Sequence, residues 1–343
     1  MSEQARRIVL ARRPVGAPQP EDFRLEEIGL PRPGPGEVLV RTLWLSIDPY
    51  MRGRMSEAPS YTRPVGLGET MVGECVGEVL DSRVTGWARG DLVRGMGGWQ
   101  THFVARASEL TRIDPDLAPP SAWLGVLGMP GLTAYAAMLE VARPEAGETV
   151  LVPAAAGAVG SLAGQLAKSR GCRVVGIAGG AEKCRYVTAE LGFDLCLDRH
   201  APDLAGRLEK ACPDGIDVYL ELVGGEVLWA VLPLLNIHAR VPVVGGIAWY
   251  NLPALPEGPD RTPLLLRRIL IRRLQVTGFL VWDFQHLEPR FRADIGSLLR
   301  EGRIRWRETV YEGLEQAPRA LIELLEGRPV GKVVVRVAAA GGA

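Results

Sequence analysis

The sequence predicts an α/β chain built from a β-rich domain and a parallel, doubly wound sheet. Three observations predict this. The first 120 or so residues carry short β-type runs among many Gly and Pro residues. From about residue 125, helical and strand patterns alternate. Within that alternation, "LVPAAAGAVGSLAGQLAKSRGCRVVGIAGGAEK" (151–183) reads as strand, small-residue turn, helix and second strand.

In the first part, "EVLVRTLWLSI" (37–47), "MVGECVGEVL" (71–80) and "GDLVRGMGGWQTHFVA" (90–105) are the strand runs, and turn residues between them suggest a compact, barrel-like domain. "PGLTAYAAMLEVA" then has a helical pattern and "ETVLVPA" that of a buried strand. The spacing predicts a helix over 158–170, a strand over 173–178, a helix over 181–191, a strand near 194–197 and a helix over 202–212. Strand "IDVYLELV", a helix to about 235, strand "ARVPVVGG", a basic helix and strand "LQVTGFLV" complete the series. Strands joined by helical crossovers specify a parallel sheet covered on both faces. The remainder offers a strand, an amphipathic helix and the strand "GKVVVRV"; if that last strand returns to the first domain, the nucleotide domain is an insertion. The closing "AAAGGA" is expected to fray.

At 343 residues the chain suffices for two domains, and 47% hydrophobic with 23% charged residues is a globular composition. Forty basic and forty acidic side chains cancel, so no net field draws the protein to nucleic acid or an anionic membrane. The apolar run at the start is too short for a signal peptide, and Pro153 and glycines break the stretch 151–167, so a cytoplasmic protein is expected. Five cysteines without a C-x-x-C pair argue against a disulfide framework or zinc lobe and are read as buried free thiols. Four scattered histidines match no metal motif, so no metal is expected. Richness in arginine and proline suits either a heat-stable protein or a biased genome.

In a dinucleotide turn the first Gly bends the chain, the second admits the pyrophosphate and the third lets helix and strand pack closely. Here those places are Ala155, Gly157 and Gly160, an A-x-G-x-x-G variant, with Ala158 and Val159 opening the helix. Small residues at such a turn also serve packing alone, but the strand before and the helix and strand after favour the binding reading. The helix start then directs its free N–H groups and positive dipole end at the diphosphate. For NAD, an acid should end the second strand; "VVGIAGG" ends instead in Gly179 and Gly180. Lys183, one of only four lysines, follows in the first turn of the next helix, where its ammonium reaches a phosphate. Glu182 is the alternative ribose acceptor, although an acid in a first helical turn is favourable in any case. Arg185 and Arg199 add positive charge or lie at the surface. The balance selects NADPH.

Together these stretches resemble the zinc-independent medium-chain dehydrogenase/reductases of the prostaglandin reductase, leukotriene hydroxydehydrogenase and 2-alkenal reductase group. The resemblance is carried by "LSIDPYMRGRM" (45–55), "GMPGLTAYAAMLE" (128–140), "AAAGAVGSLAGQLAKSRGCRVVG" (154–176), "EKCRYVTAELGFD" (182–194), "GGIAWYN" (245–251), "TGFLVWDF" (277–284) and "GKVVV" (331–335). It implies a GroES-like catalytic domain (1–124 plus 306–343), an inserted Rossmann domain (125–305), an active cleft at their junction and a homodimer. It also implies Lys183 at the 2′-phosphate, Tyr250 beside the nicotinamide ribose and substrate oxygen, and Phe279 and Val281 bordering the nicotinamide. Tyr50 matches a tyrosine at the substrate mouth, and Thr133 lies in the helix facing the cofactor. Val223, Gly245 and Ile247 complete the implied cofactor set. Three departures stand out: Arg199 replaces a phosphate-contacting Tyr, Leu222 replaces a cofactor-facing Asn, and Pro329 replaces an Asn and removes a backbone donor.

The expected reaction is hydride transfer from NADPH to the β-carbon of an α,β-unsaturated aldehyde or ketone, then protonation of the α-carbon. Tyr250, with the cofactor ribose hydroxyl, is the expected donor to the developing enolate oxygen; its alternative is a packed wall residue. For Tyr50 the alternative is a loop lock. Quinone reduction by the same superfamily is the rival activity, and a non-catalytic NADPH-binding module is the rival from another class.

Overall fold

The computed structural model describes residues 4–254 and 257–338; the rest of the "AAAGGA" end lies outside them. The contacts divide the chain into two units, Met1–Gly125 with Glu308–Ala343, and Val126–Arg307. The first unit begins with β1 (Gln4–Leu10), β2 (Phe23–Gly29), β3 (Glu37–Ile47), helix α1 (Tyr50–Arg54), β4 (Cys75–Ser82), β5 (Leu92–Gly95), β6 (His102–Arg106) and β7 (Thr111–Arg112). The second runs through α2 (Met129–Ala136), β8 (Thr149–Pro153), α3 (Ala158–Ser169), β9 (Arg173–Ala178), α4 (Ala181–Ala189), β10 (Leu195–Asp198), α5 (Leu204–Ala211) and β11 (Ile216–Tyr219). It continues with α6 (Gly225–Val231), β12 (Leu235–Val243), α7 (Thr262–Arg272), β13 (Gln275–Gly278) and α8 (Glu288–Arg300). The chain then re-enters the first unit as β14 (Glu308–Glu312), α9 (Ala317–Leu325) and β15 (Lys332–Arg336).

In the first unit the main sheet has the order β14-β15-β3-β4-β5-β7, with β6 also paired to β3, while β1 and β2 pair separately. β15 lies antiparallel to β3, Val333 opposite Ile47. Val333, Val334 and Val335 are buried, which explains why a late, uniformly β-branched segment docks there. A buried ion pair fixes the join. Lys332 Nζ donates to the Ile47 carbonyl at 2.7 Å and to Asp48 Oδ1 at 2.9 Å, and Asp48 also accepts from Ser46 Oγ. The two charged side chains are 4% and 7% exposed. One contact thus locks "LSIDPYMRGRM" to "GKVVV", two segments nearly three hundred positions apart in sequence.

The second unit holds a six-stranded sheet in the order β10-β9-β8-β11-β12-β13, every pair parallel. All of β8 is buried, and so is β9 apart from Arg173, as expected for strands covered on both faces. From β8 the chain builds outward to β10, then crosses back to place β11 on the other side of β8. That reversal creates a switch point, where loops diverge at the carboxyl ends of the strands.

Three strand expectations shift. "MVGECVGEVL" becomes regular only at Cys75. "IDVYLELV" stops at Tyr219 because the Glu221 carboxylate turns the chain by accepting the Val223 and Gly224 amides, both at 2.7 Å. "LQVTGFLV" stops at Gly278, after which Asp283 accepts the Leu280 amide at 2.9 Å and winds residues 281–287 into a 3-10 helix. No helix among the described residues is long and apolar enough to cross a membrane.

Breaking a buried ion pair by removing one partner leaves an uncompensated charge. Lys332→Met is therefore expected to lower the unfolding free energy by about 3–5 kcal/mol, with Asp48→Asn in the same chain recovering much of the loss. Urea unfolding with unchanged m-values checks both, and an unaffected midpoint in the single variant would contradict the lock.

Candidate functional site

The turn after β8 is built by close approach. Ala154 adopts a left-handed backbone (φ 48°), a conformation that opposes a β-carbon. Its carbonyl accepts the Gly157 amide at 2.8 Å. A β-carbon on Gly160 would lie 2.5 Å from that same carbonyl oxygen, so only glycine lets α3 start so close to the turn. Gly157 is the N-cap of α3 and has no side chain to accept the first-turn amides, so the amides there lack a side-chain cap. The departure at Ala155 has a compensation that the sequence did not show: its methyl is buried, 2.9 Å from where a β-carbon on Gly176 of β9 would stand. A small residue in the neighbouring strand makes room for the extra carbon.

At the end of β9, a β-carbon on Gly179 would come 3.1 Å from Arg199 Nε and 3.0 Å from His200 Nε2. Gly179 leaves space for two basic side chains arriving from the end of β10. Asp198 fixes that arrival: its Oδ1 accepts the Gly180 amide at 2.8 Å and the His200 amide at 2.9 Å. These two backbone bonds hold its carboxyl below the usual range. Lys183 is half-buried in the first turn of α4. Its pKa is lowered, first by burial and then by the positive charge of Arg199, with Glu182 opposing. Lys183 and Arg199 therefore feel one another, and an anion between them relieves both. His200 and Asp198 were not found from sequence; only their closeness to Arg199 pointed to them.

Across the switch point, the loops after β11 and β12 interlock. Glu221 is buried and also accepts from Tyr219 Oη at 2.9 Å. Burial pushes its carboxyl up, against the backbone amides that pull it down. Val244 donates to the Glu221 carbonyl at 2.9 Å, Ile247 to Leu222 at 3.3 Å and Ala248 to Val223 at 3.0 Å. Leu222 thus contributes its backbone rather than a polar side chain. The Trp249 indole lies against Gly224 and Gly246, where any β-carbon would strike the ring. Tyr250 Oη sits 3.1 Å from a β-carbon built on Gly245, and burial raises the phenol's pKa while the Gly246 amide lowers it. The phenol stays protonated near neutral pH and able to donate.

The C-terminal ends of six parallel strands collect almost the whole set of expected residues. Ala155, Gly157, Ala158, Val159 and Gly160 follow β8, Gly179 and Lys183 follow β9, and Arg199 follows β10. Val223 follows β11, Gly245, Ile247 and Tyr250 follow β12, and Phe279 and Val281 follow β13. The Phe279 ring meets Phe284 edge-on at 5.3 Å. Thr133 stands apart in α2, buried, with its hydroxyl donating to the Met129 carbonyl at 2.8 Å. Tyr50 belongs to the other unit and opens α1 directly after Asp48 and Pro49. Its pKa is raised well above normal, first by burial and then by the charges of Asp48 and Glu74. Two thiols depart from expectation: Cys184 and Cys196 are only half-buried and lie side by side.

Known proteins share this architecture. Residues 6–113 match the N-terminal domain of oxidoreductase, and residues 158–295 match the zinc-binding dehydrogenase model. The NADPH-dependent curcumin reductase of Escherichia coli (strain K12) is 51% identical over 337 residues, covering 98% of each chain. The NADP(+)-dependent 2-alkenal reductase of Nicotiana tabacum is 39% identical, covering 97% of each. The chain belongs to the zinc-independent medium-chain dehydrogenase/reductases. The crystal structure of CurA in complex with NADPH from Vibrio vulnificus superposes with a TM-score of 0.94 at 48% identity, covering 97% of this chain and 99% of that one. Although one matching model of this family is described as zinc-binding, no group of three or more His, Cys, Asp or Glu among the described residues could hold a metal ion.

Proposed function

We propose that this family member is a cytoplasmic enzyme that reduces the carbon–carbon double bond of α,β-unsaturated aldehydes and ketones. It is an NADPH-dependent oxidoreductase. The observation that carries the cofactor reading is Arg199 standing beside Gly179 and near enough to Lys183 for its charge to lower the lysine's pKa, with no acid ending β9. Relatives named as curcumin and 2-alkenal reductases support the substrate class. Bound NADPH supplies the hydride that reaches the β-carbon. This chain's residues do the rest. The turn 154–160 and the uncapped start of α3 hold the diphosphate. Lys183 and Arg199 take the 2′-phosphate, and the backbones of Val223, Gly245, Ile247, Phe279 and Val281 border the nicotinamide half. Tyr250 Oη donates to the substrate carbonyl oxygen as negative charge gathers there.

A homodimer is part of the same reading. It is supported by β13, an edge strand whose four residues are all exposed, and by the exposed Leu266, Leu270 and Ile271 of α7. Light scattering should give twice the chain mass, and Val276→Pro should give the monomer; a wild-type monomer would overturn the dimer.

Lys183→Met is expected to weaken NADPH binding roughly tenfold to hundredfold, the size of a charge-assisted hydrogen bond, while leaving NADH binding unchanged. Because only the charged amine binds the phosphate, and its pKa in the free protein lies below 10.5, NADPH affinity should fall as pH rises through that lowered value. The bound phosphate raises the pKa again, so the loss continues until the bound form also deprotonates. Fluorescence titrations at several pH values check this, and a Lys183→Met protein with wild-type NADPH affinity would overturn it.

Tyr250→Phe should reduce kcat on an enone about a hundredfold with NADPH affinity unchanged. Full turnover by that variant would remove the tyrosine from the chemistry. Assays of the wild type on 2-alkenals and quinones side by side separate the proposed activity from quinone reduction, and NADPH binding with no oxidation by either class would indicate a non-catalytic module.

A further inference from the structure

Of the five free cysteines, Cys75, Cys172 and Cys212 are buried, whereas Cys184 in α4 and Cys196 in β10 are half-buried. Cys196 Sγ donates to Cys184 Sγ at 2.8 Å. A disulfide holds its sulfurs about 2.05 Å apart, so closing the bond asks for a movement of less than about 1 Å. The pair also occupies a consequential place. Cys184 immediately follows Lys183, and Cys196 lies in the strand that ends at Asp198 and delivers Arg199.

We infer that Cys184 and Cys196 form a modification site, a dithiol that peroxide oxidises to an intramolecular disulfide clamping together the segments that present Lys183 and Arg199. The clamp's effect on the cofactor rests on the NADPH reading above; the thiol chemistry does not. Burial and the neighbouring sulfur push the Cys196 thiol up, and the two sulfurs, already in contact, can exchange the roles of attacking and resolving thiol. In one order, the Cys184 thiolate attacks one peroxide oxygen: an S–O bond forms, the O–O bond breaks, and the departing hydroxide takes up the thiol proton as water. Cys196 then attacks the Cys184 sulfenic acid: the S–S bond forms, the S–O bond breaks, and hydroxide with the second thiol proton gives a second water. Two thiols lose two electrons and peroxide gains them. Because the sulfurs already touch, the bond removes freedom of α4 against β10 with little displacement, and the phosphate subsite becomes pre-organised.

The test uses the full chain, treated with hydrogen peroxide and then denatured for thiol counting and intact mass. Two of the five thiols should disappear, the mass should fall by two hydrogens, and dithiothreitol should restore both. Cys184→Ser and Cys196→Ala should each abolish the link while NADPH binding in the reduced state persists. The oxidised wild type should bind NADPH about fivefold tighter than the reduced protein, a coupling of ordinary size, with NADH unaffected. Five surviving thiols, or a link that persists in either variant, would overturn the dithiol. A link that forms with NADPH affinity unchanged or weakened would overturn the clamp. Equal affinity of the reduced wild type for NADPH and NADH would instead remove the cofactor reading and leave the thiol count standing.

Discussion

Two cations that repel one another, gathered past the end of β9, are the constraint on which the functional account depends. Lys183 comes from the first turn of α4 and Arg199 from the end of β10; Arg199 arrives beside Gly179 because β9 and β10 are neighbours in register, and its charge reaches Lys183. Folding holds this arrangement against burial and like charge, and the lowered lysine pKa is its signature. Such an arrangement makes chemical sense when a dianion is the expected occupant. An acid in place of Gly179 would have reversed the preference by accepting from ribose hydroxyls and repelling a phosphate.

The sheet makes the convergence possible. Parallel strands buried on both faces place their carboxyl ends along one edge, so residues far apart in sequence become neighbours without any of them packing against the others by local propensity. Glycines and small side chains set how close the loops come: Gly160 to the Ala154 carbonyl, Gly176 to Ala155, Gly224 and Gly246 to Trp249. Carboxylates then turn the loops, the half-buried Asp198 by holding two amides beside Gly179 and the buried Glu221 by holding two before α6. The other unit uses the same device, with the Asp48–Lys332 pair in place of a glycine contact.

Much of this was legible in the sequence because it depends on local pattern. The boundaries of β3, β9 and α3 follow from apolar runs and flanking turn residues to within a residue or so. The A-x-G-x-x-G turn and the isolated lysine after β9 could likewise be read directly. Long-range pairings were not legible. Nothing near Ala155 announces that Gly176 accommodates its methyl, nothing near Asp48 points to Lys332, and His200 reaches Gly179 only because β10 lies beside β9. The ends of β11 and β13 were misplaced for the same reason. In each, a side chain farther along, Glu221 or Asp283, captures backbone amides and stops the strand before its apolar pattern runs out. Of the scattered cysteines, Cys184 and Cys196 meet because α4 packs against β10.

The most direct test of the central claim uses two ligands that differ by one group. Calorimetric titration of the free protein with adenosine 2′,5′-bisphosphate and with adenosine 5′-monophosphate isolates the 2′-phosphate from the nicotinamide and from any substrate. The account predicts that the bisphosphate binds at least about tenfold tighter at low salt and that the gap narrows as ionic strength rises. Equal affinities at every salt concentration would contradict it.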